Sequence, residues 1–329
     1  MAGKKKTGSP LSRLAWTIVL MKAGWIAYSA FGINHRMAIG PAIDARREIF
    51  NGRSTRFLTY YVDRSAAGRP LVLLHSINAA GNSYEMRPIF EHYRTLRPVY
   101  ALDLPGFGFS ERANKRYTRD TYKDAILDLL AERVQEPADV IALSLSGEFA
   151  ARAALERPDL FNSLTLISPS GFTDRSKGST QAASDYGLSD LVYNYLAVPL
   201  WAQSVYDLLA TRTSIRWFLK QSFYGPVDEG LVDYAYLTCH QPGARHAPLH
   251  FVSGLLFTPS IREAAYERLE IPALVLYDQD YFVRFDTLPT TLERCPNWRA
   301  ERIAPTRGLP HFERMPDVAR ALDTFWGSL

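Results

Sequence analysis

Short apolar runs recur along the chain from residue 71 onward, each bounded by glycine, proline, serine or acidic residues. Runs of this length are typical of parallel strands that are buried on both faces. Stretches with helical spacing separate them, which predicts an α/β fold with a mostly parallel central sheet of about eight strands and helices on both faces. The predicted strands are 71–76, 99–104, 140–144, 164–168, 273–277 and 298–303, and the helices between them include 82–93, 121–135 and 147–156.

The interval from Gly171 to Thr258 breaks this alternation, because it holds many aromatic residues and helical patterns but no clear strand. An insertion directly after a core strand is expected to form a helical cap over the carboxyl ends of the strands, where ligands bind in open α/β sheets. The core is expected to open with a hairpin around Asn51-Gly52. The predicted cap helices are 189–209 and 227–238, and the predicted divisions are an N-terminal segment 1–44, a core 45–171 with 259–329, and a cap 172–258.

Composition and cysteine usage narrow the classes of protein. With 47% hydrophobic and 22% charged residues over 329 positions, the chain has the composition of an ordered globular protein. Its two cysteines, Cys239 and Cys295, lie far apart and in no Cys/His cluster. A disulfide framework and a structural zinc site are therefore not expected, and we predict neither a metal ion nor a cofactor.

Basic residues are concentrated at the N terminus. The first 43 residues carry six basic side chains and no acidic one, so the remainder has 32 of the 38 basic residues against all 34 acidic ones. Because the body of the chain is close to neutral, it is not expected to bind nucleic acid.

The apolar run Leu11–Ile33 lies within this basic segment and is interrupted by Arg13 and Lys22. Lys22 disfavours both a signal peptide and a membrane-spanning helix. A helix on an anionic membrane surface fits the lysines and tryptophans, and a helix packed on its own domain or on a partner fits the hydrophobicity equally well. We therefore expect a cytoplasmic protein whose residues 11–33 contact either lipid or protein, and the oligomeric state stays open.

An apolar strand pattern turns directly into a helical pattern at Ser144, which is the outline of a nucleophile elbow. Such a turn needs small neighbouring residues, and Ala142, Ser146 and Gly147 supply them. The usual G-x-S-x-G motif reads Ala-Leu-Ser-Leu-Ser here, so this segment alone also fits a serine that merely ends a buried strand. Ser146 is the poorer candidate, because Glu148 would then stand where a small residue is needed.

A serine nucleophile needs a base, usually a histidine that a carboxylate orients, and in chain order the acid precedes the histidine. Asp280 lies in the turn past the apolar run 273–277 and is favoured over Asp278, which is closer to the strand. His311 follows the last predicted strand and is the only histidine downstream of Asp280. A turn-capping aspartate and a structural histidine are the ordinary alternatives.

These residues and two further motifs resemble the α/β-hydrolase fold superfamily, in its serine-nucleophile branch with a helical cap, from about residue 45 to the end. The segment Leu73-Leu-His-Ser-Ile-Asn78 resembles the H-G-x loop of that family. The segment Asp103-Leu-Pro-Gly-Phe-Gly-Phe-Ser110 is similar to its D-x-P-G-x-G-x-S motif. The resemblance implies that Ser144 attacks an acyl carbonyl, that His311 shuttles the proton and that Asp280 orients the imidazole. It also implies that the backbone N–H groups of Ile77 and Leu145 form the oxyanion hole.

The chain also departs from the family pattern. Ser76 replaces the glycine of H-G, and alignment with the frequent G-H-L-P-H-L-E form puts the family's catalytic histidine at Gly308. A loop shifted by three residues would let His311 serve. Without that shift Ser144 has no base, and the protein is a non-catalytic member of the family.

The resemblance implies a serine hydrolase that cleaves a carboxylic ester, thioester or lactone through an acyl-enzyme intermediate. The aromatic residues of the insertion suggest an apolar or aromatic small-molecule acyl substrate. Two alternatives stay open, because the sequence does not separate them from hydrolysis. One is acyl transfer on the same triad, and the other is a non-catalytic binding or scaffold protein with this fold.

Overall fold

A central sheet organises the fold. The computed structural model describes residues 10–174 and 186–329. The strands in these ranges are β1 (Arg46–Phe50), β2 (Leu58–Asp63), β3 (Leu71–Leu74), β4 (Val99–Asp103), β5 (Ala138–Leu143), β6 (Phe161–Ile167), β7 (Ala273–Tyr277) and β8 (Trp298–Arg302). They form one eight-stranded sheet in the order β1-β2-β4-β3-β5-β6-β7-β8.

Helices fill the intervals between most of these strands. The helices are α1 (Pro10–Gly32), α2 (Arg87–Tyr93), α3 (Arg119–Leu129), α4 (Ser146–Glu156), α5 (Tyr186–Leu196), α6 (Ala202–Leu209), α7 (Arg212–Ser222), α8 (Glu229–Cys239), α9 (His246–Val252), α10 (Ile261–Ala264), α11 (Leu288–Arg294), α12 (Pro310–Glu313) and α13 (Met315–Trp326). A short 3-10 helix at Ser83–Met86 precedes α2, and a π-helical turn at Leu130–Val134 extends α3.

Strand β2 runs antiparallel to its neighbours β1 and β4, and the other neighbouring strands are parallel. The predicted mostly parallel α/β sheet is therefore confirmed. The predicted hairpin is also present, but β2 begins at Leu58 because the backbone N–H of Gly52 donates to Thr55 O and closes a longer loop.

Both faces of the sheet are buried, which is why its strands read as continuous apolar runs. Val72 of β3 belongs to the same apolar cluster as Phe149 of α4. Leu73, the next residue, belongs to a second cluster with Phe90 of α2 on the opposite face. Each fully buried side chain of this size contributes about 1.5–3 kcal/mol to folding.

Helices α5 to α9 lie between β6 and β7, where the cap was predicted. The helix predicted over 189–209 is two helices, α5 and α6. Pro199 lies between them and, having no N–H, cannot continue a helix. Residues 175–185 of the predicted cap lie outside the described residues, so its bounds stay a prediction.

Helix α1 is joined to the cap through its second half. The indole Nε1 of Trp25 donates to Ser204 O at 2.8 Å, and Ser29 Oγ donates to Asp207 Oδ2 at 2.6 Å. Large apolar side chains of the first half, from Leu14 to Met21, are exposed. Among the helices of the described chain, none is both long enough and apolar enough to cross a membrane.

Candidate active site

Ser144 follows β5 directly and lies two residues before α4, at a sharp turn between strand and helix. Its φ of 54° is in the left-handed region, which is costly for any residue except glycine. The turn is held on both sides: Ser144 N donates to Ile167 O at 2.8 Å, and Gly147 N donates to Ser144 O at 3.0 Å. This strained strand-to-helix turn is the geometry of a nucleophile elbow.

The two serines of this turn have different surroundings. Ser144 lines a large cavity and is partly exposed. Ser146 is fully buried, and its hydroxyl donates to the backbone carbonyl of His75. Ser144 is therefore the serine whose hydroxyl is free to meet a ligand.

Ile77 and Leu145, the two predicted oxyanion donors, both line the same cavity. Neither backbone N–H donates a hydrogen bond to another group in the described part of the chain. Most buried backbone N–H groups find a partner, so two unpaired ones beside one serine are what a developing oxyanion requires. Their role in catalysis stays a prediction.

His75 braces the loop that carries Ile77. Leu104 N donates to His75 Nε2 at 3.0 Å, so the proton lies on Nδ1, which donates to Ser76 O at 2.7 Å. Burial lowers the pKa of His75 to about 4. The neutral imidazole thus acts as a fixed link between the two loops.

Glu85 and Glu148 are buried in the cavity wall, and neither was predicted from the sequence as a site residue. Burial raises the pKa of each to about 7. Glu85 Oε2 accepts from Ser76 N at 2.8 Å, and its Oε1 accepts from Asn78 Nδ2 at 3.2 Å. A glutamate inside an otherwise apolar pattern, as in Ser-Gly-Glu-Phe-Ala-Ala at the start of α4, is the signal that points to Glu148, whereas the polar neighbours of Glu85 give no such signal.

Glu148 has a partner on each carboxylate oxygen. Ser170 Oγ donates to Oε1 at 2.5 Å, and Thr258 N donates to Oε2 at 2.7 Å. These bonds link α4 to the segments that follow β6 and precede α10. The carboxylate is therefore a structural junction in the cavity wall.

Asp280 lies in the turn after β7 and lines the cavity. Its Oδ1 accepts from two backbone N–H groups of the same turn, at 2.7 and 3.1 Å. Burial raises its pKa to about 6, and those two N–H groups oppose the rise. The carboxylate of Asp278 instead accepts hydrogen bonds from Arg302 Nε at 2.7 Å and from Thr306 N at 2.8 Å. This favours the prediction that Asp280 is the acid.

His311 lies in α12 and is fully buried outside the cavity lining. Its Nε2 donates to the backbone carbonyl of Glu85 at 2.6 Å, and burial lowers its pKa to about 4. The structure thus brings Ser144 and Asp280 to one cavity but does not bring His311 there. The predicted role of His311 as base stays a prediction that requires its imidazole to leave Glu85.

Gly308 lies in the cavity wall, at the position that the family pattern assigns to the catalytic histidine. A Cβ at this position would lie 2.9 Å from Asp280 Oδ2. Among the described residues, no histidine lines the cavity.

The cavity has a volume of about 970 Å³ and is mainly apolar. Of the aromatic residues in the predicted cap, Phe218, Phe251 and Phe257 line it, whereas Tyr193 packs against His250 and Phe223 is buried in the core. The cap side of the wall also contributes aliphatic side chains, which are Leu188, Val192, Leu209, Ile215 and Leu219.

A model of the alpha/beta hydrolase family matches residues 71–321, which is most of the chain. The chain belongs to the alpha/beta hydrolase family. The predicted resemblance is therefore confirmed, and so is the assignment to this family of enzymes. The matched range includes Ser144, Asp280 and Gly308.

Other members of the alpha/beta hydrolase family are similar over part of the chain. An uncharacterized hydrolase, YugF, of Bacillus subtilis is 29% identical over 119 residues, which are 36% of this chain and 43% of that protein. The 2-hydroxymuconate semialdehyde hydrolase of a Pseudomonas species is 31% identical over 109 residues, 32% of this chain and 38% of that protein. These matches span less than half of each relative.

The solved structure of a serine hydrolase involved in carbazole degradation has the same fold, with a TM-score of 0.67. It is 17% identical, and the superposition covers 86% of this chain and 99% of that one. At this level of identity the similarity is one of fold.

Proposed function

We propose that this alpha/beta hydrolase cleaves a carboxylic ester, thioester or lactone of an apolar small molecule, through an acyl-enzyme intermediate on Ser144. The observation that carries the proposal is Ser144 in its strained turn at an apolar cavity, with two unpaired backbone N–H groups in the same wall. Backbone strain of this kind persists only where the surroundings enforce it, and it is concentrated at functional sites.

In this proposal the hydroxyl oxygen of Ser144 attacks the acyl carbon, and the carbonyl oxygen becomes an oxyanion. The N–H groups of Leu145 and Ile77 donate to that oxyanion. One donor of this kind is worth about 2.7–4 kcal/mol of transition-state stabilisation. Asp280 orients the protonated base, and His311 fills that role only if it moves from Glu85 into the cavity.

Volume and lining support a small-molecule acyl substrate. A cavity of about 970 Å³ is at the upper end of the range for drug-sized ligands. The cap side of the wall combines aliphatic side chains with Phe218, Phe251 and Phe257, which fits an apolar or aromatic acyl group. An alcohol or thiol that replaces water as the acceptor would turn the same site into an acyltransferase, so the products must be identified.

The test is covalent labelling by a fluorophosphonate, followed by hydrolysis of a p-nitrophenyl ester series of increasing chain length. Ser144→Ala is expected to lose labelling and to lose turnover by at least about a thousandfold, as for removed nucleophiles in serine proteases. Ser146→Ala is the matched control and keeps labelling, because its hydroxyl is bonded to His75 O. Equal labelling of the wild type and Ser144→Ala would contradict the proposal.

A second candidate function is ligand binding without catalysis, and the observation that favours it is the absence of a histidine side chain from the described cavity lining. It predicts that the folded wild type is not labelled, and that Ser144→Ala binds an apolar fatty-acid probe as tightly as the wild type. Labelled wild type would exclude this candidate.

We also infer that the first half of α1 binds an anionic membrane surface. Leu14, Trp16, Leu20 and Met21 are each more than half exposed, and basic residues accompany them in the sequence. An exposed apolar helix with lysines and tryptophan is typical of interfacial segments. Lys4, Lys5 and Lys6, which would add to this attraction, lie outside the described residues.

Sedimentation with vesicles that contain phosphatidylserine tests this inference. Leu14→Glu with Leu20→Glu is expected to reduce the bound fraction, because both substitutions place negative charge at the lipid contact. Leu96→Glu is the matched control, since Leu96 is as exposed as Leu14 but precedes β4. Equal binding of all three proteins would overturn the membrane role.

A further inference from the structure

The loop that follows β3 carries Ile77 and runs beside the elbow at Ser144. Strands β3 and β5 are parallel neighbours, so the residues that follow them meet at the same edge of the sheet. The loop is also bonded to the elbow, because Ser146 Oγ donates to His75 O. Ile77 and Ser144 both line the cavity, so the direction of the Ile77 N–H decides whether it can donate to an oxyanion formed at Ser144.

The Ile77 N–H belongs to the peptide group that joins Ser76 to Ile77. This peptide is trans, so its C=O and its N–H point in opposite directions. His75 Nδ1 donates to Ser76 O at 2.7 Å. Reversal of the peptide would break that bond and would put a carbonyl oxygen where the N–H now lies.

Glu85, in the 3-10 helix, holds this loop on both sides of Ile77. Its Oε2 accepts from Ser76 N at 2.8 Å, and its Oε1 accepts from Asn78 Nδ2 at 3.2 Å. Asn78 Nδ2 also donates to Ser76 Oγ at 2.6 Å, and Asn78 Oδ1 accepts from Ala80 N at 2.7 Å. Ser76 and Asn78 are thus bonded to each other and to one carboxylate.

This pattern of donors fits the ionised form of Glu85. Both groups that reach the carboxyl group are N–H donors, and an ionised carboxylate has only acceptors. A proton on either oxygen would weaken that oxygen as an acceptor and would itself face a donor. Because a buried donor without an acceptor is costly, the loop would move away from this arrangement.

We propose that the ionised carboxylate of Glu85 is the positioning residue of the oxyanion hole, which holds the loop 76–78 so that the N–H of Ile77 faces Ser144. This proposal rests on the proposed function, because it concerns the oxyanion that forms there. Ser76, which replaces the glycine of the family pattern, takes part through its backbone N–H and its hydroxyl. Catalysis then depends on a carboxylate that does not touch the reacting atoms.

The proposal predicts a pH dependence with a definite sign. Burial raises the pKa of Glu85 from 4.5 to about 7, and the bonds from Ser76 and Asn78 oppose the rise. The ionised form is therefore reached only as the pH rises through about 7, and activity is expected to rise with it.

Other charged and titratable groups face the 3-10 helix from the elements around it. They are His75 after β3, Arg87 of α2, Asp103 of β4, Asp228 before α8, Tyr234 of α8 and His311 of α12. Burial lowers the pKa of both histidines to about 4, so they are neutral in this range. Burial raises the pKa of Asp103 to about 6, so the step due to Glu85 must be identified by its loss in Glu85→Gln.

The rate of fluorophosphonate labelling tests the role of Glu85. In the wild type the rate is expected to rise with a midpoint at about pH 7. Glu85→Gln is expected to lack this step and to be labelled about 10²-fold more slowly at about pH 8, because its amide turns an N–H group toward one of the two donors. With a p-nitrophenyl ester the loss is expected in kcat and not in KM, since the oxyanion forms only in the transition state.

Glu148→Gln is the matched control, because it removes a second buried carboxyl group of the cavity wall and is expected to keep the pH step. Equal rates and equal pH dependence in the wild type and Glu85→Gln would overturn the proposal.

A double substitution provides a rescue that a mere loss of packing would not show. In Glu85→Gln with Asn78→Asp, the new amide donates to the new carboxylate and still accepts from Ser76 N. The charge then lies at position 78, which is partly exposed. The labelling rate is expected to recover by about tenfold over Glu85→Gln, and the pH step is expected to move below that of the wild type. A folded double variant that shows neither change would contradict the proposal.

The amide signal of Ile77 separates this proposal from the proposed function. In protein with isotope-labelled isoleucine, NMR is expected to show that this signal shifts with pH in the wild type, with a midpoint at about 7, and not in Glu85→Gln. That result without labelling of Ser144 under any condition would support the role of Glu85 and remove the hydrolase. Labelling that Ser144→Ala abolishes, with the same rate and pH dependence in the wild type and Glu85→Gln, would do the reverse.

Discussion

On one side of the cavity, where β3 and β5 end, the proposed site is made of a serine in a strained turn and two backbone N–H groups. On the other side, where β7 and β8 end, Asp280 is present, but Gly308 stands beside it and His311 is buried outside the cavity lining. The first side depends on main-chain geometry that the strands and α4 enforce. The second depends on the identity of single side chains in a loop.

The largest effect is expected from a substitution that disturbs the first side without touching the serine. A Cβ at Gly81 would lie 2.4 Å from Ser76 O, so Gly81→Ala must displace the loop that carries Ile77. We expect turnover and fluorophosphonate labelling to fall by about 10²–10³-fold, as when an oxyanion donor is lost. Gly40→Ala is the control, because nothing lies within 4 Å of its Cβ. Unchanged labelling of Gly81→Ala would show that the N–H group of Ile77 is not an oxyanion donor.

A substitution of Glu148, the buried carboxyl group of α4, is expected to change how the free energy of unfolding depends on pH. Burial raises the pKa of Glu148 from 4.5 to about 7, so the folded state holds its proton more tightly than the unfolded state. The stability that this group confers is complete below pH 4.5 and is lost as the pH rises to about 7, a loss of about 3 kcal/mol.

Glu148→Gln is therefore expected to lose less stability than the wild type between about pH 5 and about pH 8 in urea unfolding. Glu156→Gln, at the exposed end of the same helix, is the control and should follow the wild type. An equal change in the stability of the wild type and of Glu148→Gln across this interval would show that burial does not perturb Glu148.

The smallest effect is expected from a substitution of His311, on the second side of the cavity. His311→Gln removes the bond from Nε2 to Glu85 O, and we expect the free energy of unfolding to fall by about 1–3 kcal/mol. His92→Gln, an exposed histidine on α2, should change it little. Loss of turnover in His311→Gln with unchanged stability would mean that this imidazole acts in the cavity, and the contrast between the two sides would then disappear.

Much of the fold and of the first side could be predicted because they follow from local patterns. An apolar run that ends at Ser144 and continues as a helix dictates both the strand and the turn. Asp280 could be placed because it follows a buried strand at the carboxyl edge of the sheet. In each case, position in an element decides which way the residue faces.

His311 could not be placed in the same way. It lies in a short helix after a loop, and a shift of three residues moves a side chain from the cavity wall to the core. Glu85 was missed for a related reason, since a glutamate among polar residues is expected to be exposed, and only tertiary packing buries this one.

The attachment of α1 to the cap has a consequence for how this protein can be engineered. Asp207 is buried and accepts hydrogen bonds from Ser29, from His35 at 3.0 Å and from Gln203 at 2.8 Å. A shortened protein that starts after His35 would strip this carboxylate of two of its three donors. The N-terminal segment is therefore no removable tag: a deletion that keeps these hydrogen bonds and that of Trp25 must end before Trp25.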